Sequence, residues 1–220
     1  MGVAERYWYA EGLDPEELEF QRLYGPVMPA TRAEAKEFFD GFGGAWWIAG
    51  GWSIEAFTGV PRHHEDLDVS IWRKDVPALV AHAQGRYHVW SVGSQTISPV
   101  SADKAEVPDT ADQVWLREHA LAPWRYDVVL NPDRDGRWIF RRDRGLDYDL
   151  DEVTWVAGDG IRYLRPEMAL AYKAKLDRAK DKVDLAVTLP LLPPSKRTWL
   201  ADMVDHLHPG HAWLDQIRQA

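Results

Sequence analysis

Trp47-Ile48-Ala49-Gly50-Gly51-Trp52-Ser53-Ile54, and after it Arg62-His63-His64-Glu65-Asp66-Leu67-Asp68-Val69, are the two stretches on which the fold turns. In the first, an apolar run from Ala45 to Ala49 is halted by two glycines, after which Trp52 to Phe57 can form a short helix ending at Gly59-Val60-Pro61. That is the pattern of a strand, a glycine turn and a helix. The second alternates: over Glu65 to Trp72, Leu67, Val69 and Ile71 fall on one side and Asp66, Asp68 and Ser70 on the other, as a half-buried strand requires.

Working outward, Ala30 to Phe39 reads as a helix with Thr31 as N-cap and Glu34 as its capping-box partner, and Asp75 to Gln84 also reads as helical. Tyr87 to Val92 and Tyr126 to Leu130 are expected strands, with Trp138 to Phe140 following across a Gly136 turn. Val153 to Val156 and Ile161 to Leu164 flank Ala157-Gly158-Asp159-Gly160 as a hairpin, whereas Gly93 to Asp112 carries turn residues without a period. Beyond that hairpin the period becomes helical. Pro166-Glu167 opens a helix through about Asp177, and others are expected near Lys180 to Thr188, Ser195 to His208 and beyond Pro209-Gly210. The expected fold is α/β (α+β): a mixed sheet with flanking helices over residues 1–160, then a small helical domain over 161–220.

Composition narrows the function. The chain has 220 residues, 45 % of them hydrophobic and 28 % charged, with 12 Trp, so it has ample material for a core. With no cysteine, thiolate nucleophiles, Cys-ligated zinc and iron–sulfur clusters are excluded, and any metal must be held by oxygen or imidazole. The apolar stretches fall far short of the ~20 residues a membrane span needs. The stretch Met1 to Glu19 is acidic and lacks the apolar segment of a signal peptide, so the expected location is the cytoplasm. The net charge of −9 is uneven: residues 1–160 carry 16 basic and 28 acidic side chains, residues 161–220 carry 10 and 7. An acidic surface opposes nonspecific binding to nucleic acid, and the first part suits cationic metals or cationic small substrates.

Asp66-Leu67-Asp68 is the sharpest chemical feature. On a strand, residues i and i+2 face the same way, roughly 6 to 7 Å apart, so both carboxylates reach one set of hard cations, of which Mg2+ is the natural candidate. Such pairs also occur on plain solvated strands. Gly50-Gly51 between strand and helix lets a phosphate approach the backbone and the free N–H groups of the helix start, although an ordinary tight turn has the same residues. A third acid, Asp127, lies in a similar strand context. If its strand neighbours that of Asp66 and Asp68, three carboxylates converge, enough to hold two metal ions and to deprotonate a hydroxyl; otherwise it is a polar residue at a strand edge. Arg62 and His64 can bridge phosphate or orient the aspartates, Glu55 can line the cleft, and Trp52, beside the glycine turn, is the tryptophan best placed to serve a ligand. Lys173 and Lys175 point about 200° apart on a helix, and Lys173, sharing a face with Asp177 and Lys180, is the better candidate for the cleft. A solvated charged face is the alternative.

These motifs resemble the core of the DNA polymerase β-like nucleotidyltransferase superfamily, above all the branch containing aminoglycoside 2''-O-nucleotidyltransferases and lincosamide nucleotidyltransferases. The resemblance covers roughly residues 30 to 190, and its specific part is the block from Gly50-Gly51-Trp52-Ser53 to Asp66-Leu67-Asp68. It implies that Gly50 and Gly51, with Trp52 and Ser53 beside them, hold a triphosphate, that Asp66 and Asp68 bind Mg2+, and that Asp127 completes the metal site or acts as base. It further implies that Arg62, His64 and a helix lysine, Lys173, approach the nucleotide. The implied reaction moves a nucleoside monophosphate, AMP from ATP, onto a hydroxyl of a small molecule such as an aminoglycoside- or lincosamide-like antibiotic, with pyrophosphate released, and the implied partners are a nucleoside triphosphate and a small hydroxyl-bearing acceptor. Gly93 to Trp124 matches no drug-binding loop. A toxin-like transferase acting on protein or RNA, and a catalytically silent nucleotide-binding module, are the rival readings.

Overall fold

Helices α1 (Pro15–Tyr24) and α2 (Arg32–Phe38) lead into strand β1 (Trp46–Ile48), which the apolar run forms, and into α3 (Gly50–Thr58). The cap of α2 is as read: Thr31 Oγ1 accepts from the Glu34 N–H and the Glu34 carboxylate accepts from the Thr31 N–H. This computed structural model describes residues 15–93 and 96–220; residues 1–14 of the acidic N-terminal stretch, and residues 94–95 within the unassigned segment, lie outside the described residues.

Strand β2 (Asp68–Trp72) starts later than the alternation suggests. Asp66 lies before it in a bend, because the Asp66 carbonyl accepts from the Trp52 indole N–H and the Leu67 carbonyl from the Val69 N–H, which turns the chain instead of extending it. The alternation itself holds within the strand: Val69 and Ile71 join one core, while Asp68 and Ser70 face a cavity on the other side. After α4 (Val76–Ala83) come β3 (His88–Gly93), β4 (Thr96–Val100), β5 (Gln113–Arg117) and β6 (Tyr126–Asn131). Strand β4 is an edge strand within the segment that showed no period; Pro99 and its sparse apolar residues hide it from a pattern reading. A small sheet of β7 (Asp133–Arg134), β8 (Arg137–Ile139) and β9 (Asp147–Tyr148) follows, then α5 (Leu150–Val153) and the hairpin β10 (Thr154–Val156) and β11 (Arg162–Leu164). The chain ends in α6 (Pro166–Ala174), α7 (Ala179–Thr188), α8 (Pro194–Leu207) and α9 (Trp213–Gln219).

The main sheet is mixed, in the order β10-β11-β1-β2-β6-β5-β3-β4. Strands β1 and β11 run parallel, as do β2 and β6, and the other neighbours are antiparallel. On one face, Phe38, Phe39 and Leu79 from the helices pack with Val69, Ile71 and Leu116 from the strands. The other face carries Trp47 and Trp72, which belong to a core with Leu170, Leu185 and Leu200 of the late helices. Burying both faces is why the central strands are apolar except where a side chain faces the cavity.

Helix α6 ends at Ala174, three residues short of the sequence expectation. The His211 ring Nε2–H donates to the Ala174 carbonyl (3.0 Å), the Trp213 indole N–H donates to Asp177 Oδ1 (2.8 Å), and Asp177 adopts φ +46°. The C-terminal tail thus takes the groups that would have continued the helix. Phe140 joins the small sheet to α6: it is fully buried, and its ring lies 4.8 Å from that of Tyr172 and 5.8 Å from that of Trp138. Phe140→Ala is expected to cost about 3–5 kcal/mol in a denaturant titration; a loss below about 1 kcal/mol would mean that this junction is not part of the core. Among the described residues no helix is long and apolar enough to cross a membrane.

Candidate active site

Because β2 and β6 are parallel neighbours, their register places Asp68 directly opposite Asp127. The bend before β2 brings Asp66 close enough for its charge to act on both. Burial and then the Asp66 charge push the Asp68 carboxyl up to about 7, against the pull of Lys173, Lys180 and Arg178. Asp127 is also raised well above the carboxylate range, by burial first and then by Asp68 and Asp66. Its Oδ2 accepts from Gln113 Nε2 (3.0 Å), but its Oδ1 is buried and has no hydrogen-bond partner among the described residues.

That orphaned oxygen and the raised acids describe a place where negative charge lacks a counterion, and hard carboxylate oxygens suit Mg2+. Among the described residues no group of three or more His, Asp or Glu side chains is placed to hold a metal ion. Mg2+ does not require one, since it is commonly held by one or two carboxylates with substrate phosphates supplying further oxygens. The residues present therefore fit the ion.

Gly50 and Gly51 serve their own neighbours at close range. Gly50 has φ +63°, and a Cβ there would overlap the Asp68 carboxylate; a Cβ on Gly51 would overlap the Arg62 guanidinium. The bare backbone at the start of α3 thus seats an acid of the site on one glycine and a cation on the other. Arg62 donates from Nε and Nη2 to Asp184 (2.9 and 3.2 Å) and from Nη1 to the His63 carbonyl (2.7 Å).

Asp66, Asp68, Gly50, Gly51, Arg62 and Lys173 line one cavity of about 420 Å³. Arg178 and Lys180, from the start of the next helix, and Arg141 and Arg142, after β8, add to its basic lining. Lys173 is buried and paired with Asp181 (3.1 Å) and Asp184 (3.0 Å), while Lys175 is exposed. The expected common face of Lys173, Asp177 and Lys180 does not exist, since the helix breaks between them; Lys180 instead pairs with Glu65 (2.8 Å). Asp127 lines a second, smaller cavity of about 190 Å³ with Phe20, Trp115 and Trp124, and Asp66 borders both cavities.

Besides Asp127, the sequence candidates Ser53, Trp52, His64 and Glu55 do not line the larger cavity. Ser53 is buried and its hydroxyl donates to the Gly50 carbonyl (2.8 Å), so it braces the turn. Trp52 stacks on His64 with ring centroids 3.8 Å apart, under the Arg32 guanidinium at 4.8 Å. His64 Nε2–H donates to Glu55 (2.8 Å), and burial lowers its pKa although Glu55 opposes that shift. Glu55 also pairs with Arg32 (3.4 Å), so Trp52, His64 and Glu55 form a buttress behind the glycine turn. Sequence reasoning missed Gln113 on β5, and Arg178 and Asp184 at the cap and in the body of α7, none of which shares a spacing with the motifs.

Residues 33–105 match the family model described as Aminoglycoside-2''-adenylyltransferase. The matched stretch holds Gly50, Gly51, Arg62, His64, Asp66 and Asp68; Asp127 and Lys173 lie beyond it. This is the nucleotidyltransferase branch that the sequence resembles. Among solved structures, the chain is similar to the lincosamide antibiotic adenylyltransferase LnuA in its lincomycin-bound form, at 17 % identity over 73 % of this chain and 97 % of that one, with a TM-score of 0.48. It is also similar to the antibiotic-resistance factor ANT(2'')-Ia, at 16 % identity over 85 % and 94 % of the two chains, again with a TM-score of 0.48. No curated protein matches.

Proposed function

We propose that this chain is a Mg2+-dependent nucleotidyltransferase that moves a nucleoside monophosphate, AMP from ATP in the first instance, onto a hydroxyl of a small antibiotic-like acceptor. The observation that carries this reading is the division of one cavity into two walls: Asp66 and Asp68 on the sheet side, and Arg62, Lys173, Arg178 and Lys180 around the glycine turn and the late helices. A triphosphate with its metal is complementary to that distribution, its cation against the acids and its phosphates against the basic side chains. The family match over residues 33–105 supports the same chemistry. Residues 1–160 then supply the acids, and residues 161–220 most of the cations.

Asp66 and Asp68 would hold Mg2+, which when bound supplies charge neutralisation for the triphosphate oxygens. The work of the chain itself is positional. Arg62 and Lys173, held by buried carboxylates, would orient the phosphates for in-line attack. The acceptor hydroxyl would enter on the Asp127 side, where Phe20, Trp115 and Trp124 offer an apolar wall beside the acids. Its oxygen forms the new bond to the α-phosphorus, the bond to the bridging oxygen of the β-phosphate breaks, and pyrophosphate leaves. The hydroxyl proton passes to Asp127 Oδ1, the oxygen with no other partner. A carboxylate whose pKa is raised toward the working pH is a better base than an ordinary one.

Calorimetric titration with Mg2+ and a non-hydrolysable ATP analogue tests the reading. Binding that requires Mg2+ in the wild type, and its loss in a folded Asp66→Asn/Asp68→Asn double variant, is the expected outcome. Equal binding by the two proteins would remove the acids from the nucleotide site.

A further inference from the structure

Asp184 lies on α7, outside every motif read from the sequence, and is 2 % exposed. One oxygen accepts from Arg62 Nε (2.9 Å); the other accepts from Arg62 Nη2 (3.2 Å) and lies 3.0 Å from Lys173 Nζ. A single buried carboxylate therefore ties together the two cations that reach the cavity from different parts of the chain, the loop before β2 and helix α6. One α-helical turn earlier, Asp181 does the matching work for Lys173 (3.1 Å) and Arg178 (2.8 Å). Burial opposes its ionisation, but the bonds from Arg178 and Lys173 hold the Asp181 carboxyl below its ordinary range. Neither aspartate lines the cavity, so neither is placed to touch a ligand.

The geometry points to Asp184 as a positioning residue for the triphosphate, an inference that rests on the nucleotidyltransferase reading. Free Arg and Lys side chains carry rotamer entropy that a ligand would have to overcome. Asp184 removes that freedom before the ligand arrives. Its two-point grip also fixes the plane of the Arg62 guanidinium against Gly51, where a Cβ would overlap it. Two aspartates shared among Lys173, Arg62 and Arg178 leave the group net positive, so the anion is still attracted.

The test measures affinity for a non-hydrolysable ATP analogue with Mg2+, beside the melting temperature, in wild type, Asp184→Asn, Arg62→Lys and the double variant. Asp184→Asn is expected to weaken binding by about tenfold or more, the scale of coupling within one charge network. Since Asp184 acts through Arg62, the double variant should lose little more than the worse single variant. A purely structural strut would lower the melting temperature and leave the affinity of the folded protein alone. Should Asp184→Asn not fold, Asp184→Glu keeps the charge while displacing the oxygens, and about threefold or greater weakening is expected of it. Affinities within twofold of wild type in the folded Asp184 variants, or losses that multiply in the double variant, overturn the inference. Failure of the wild type to bind the analogue at all would overturn the nucleotidyltransferase reading, and this inference with it.

Discussion

Asp127→Asn is expected to abolish nucleotidyl transfer and, in the same protein, to raise the melting temperature measured without metal. The first effect follows from removing the proposed base: an amide cannot take the acceptor proton at Oδ1. The second follows from the cost of the native acid. Asp127 sits opposite Asp68 with one oxygen unpaired, and burial together with two neighbouring acids raises its pKa. A carboxyl whose pKa is higher in the folded than in the unfolded state costs nothing below the unfolded value. Its cost grows as pH rises from there toward the folded value, and is fully present above it. Asn has nearly the same shape and can still accept from Gln113, so at pH 8 the variant should gain about 1–2 kcal/mol. For a chain of this length that gain moves Tm upward by about 2–8 °C. The gain should shrink steadily on acidification toward about pH 4, the ordinary carboxyl range. A melting temperature that falls at pH 8, or transfer at more than a few per cent of the wild-type rate, would contradict the role given to Asp127.

Gly50→Ala should be nearly as damaging, for a steric reason. Gly50 holds φ +63°, a conformation that costs an L-residue about 1–2 kcal/mol, so a modest loss of stability is expected. The larger effect is on the site. The added Cβ would occupy the place of the Asp68 carboxylate, and the alanine protein must move either the start of α3 or the acid. Displacing a reacting group by about 1 Å can cost about 100-fold in rate, and initial rates of pyrophosphate release should fall by that much or more. Activity within about threefold of wild type would show that Asp68 does not need this seat.

How far the sequence foretells this arrangement depends on whether a residue works within its own segment. The strand, glycine turn and helix around Gly50, and the capping box of Thr31 and Glu34, are local patterns and can be read directly. Placing Asp127 opposite Asp68 needed one further step, the assumption that two apolar strands are neighbours, and the register of β2 and β6 has that pairing. Asp66 was harder, because the indole of Trp52 captures a carbonyl that the alternation had assigned to the sheet. The cationic wall could not be read beyond Arg62, Lys173 and Lys180. Arg178 and Asp184 gain their meaning only when α6 breaks at Ala174, and that break is imposed by His211 and Trp213 from the far end of the chain. Strand β4 was invisible for the opposite reason: an edge strand with a proline needs little periodicity to exist.

The parallel pairing of β2 with β6 also sets when the site comes into being. Parallel neighbours cannot be joined by a tight turn, and here the intervening chain runs through α4 and three other strands before it returns. Contacts so distant along the chain form late, after the loop entropy of everything between them has been overcome. The acids at 68 and 127 therefore meet near the end of folding, once the sheet has closed, and until then neither has the neighbour that makes it unusual. On the proposed reading, nucleotide and metal would hold the finished protein against unfolding. They have nothing to grasp while it is being made.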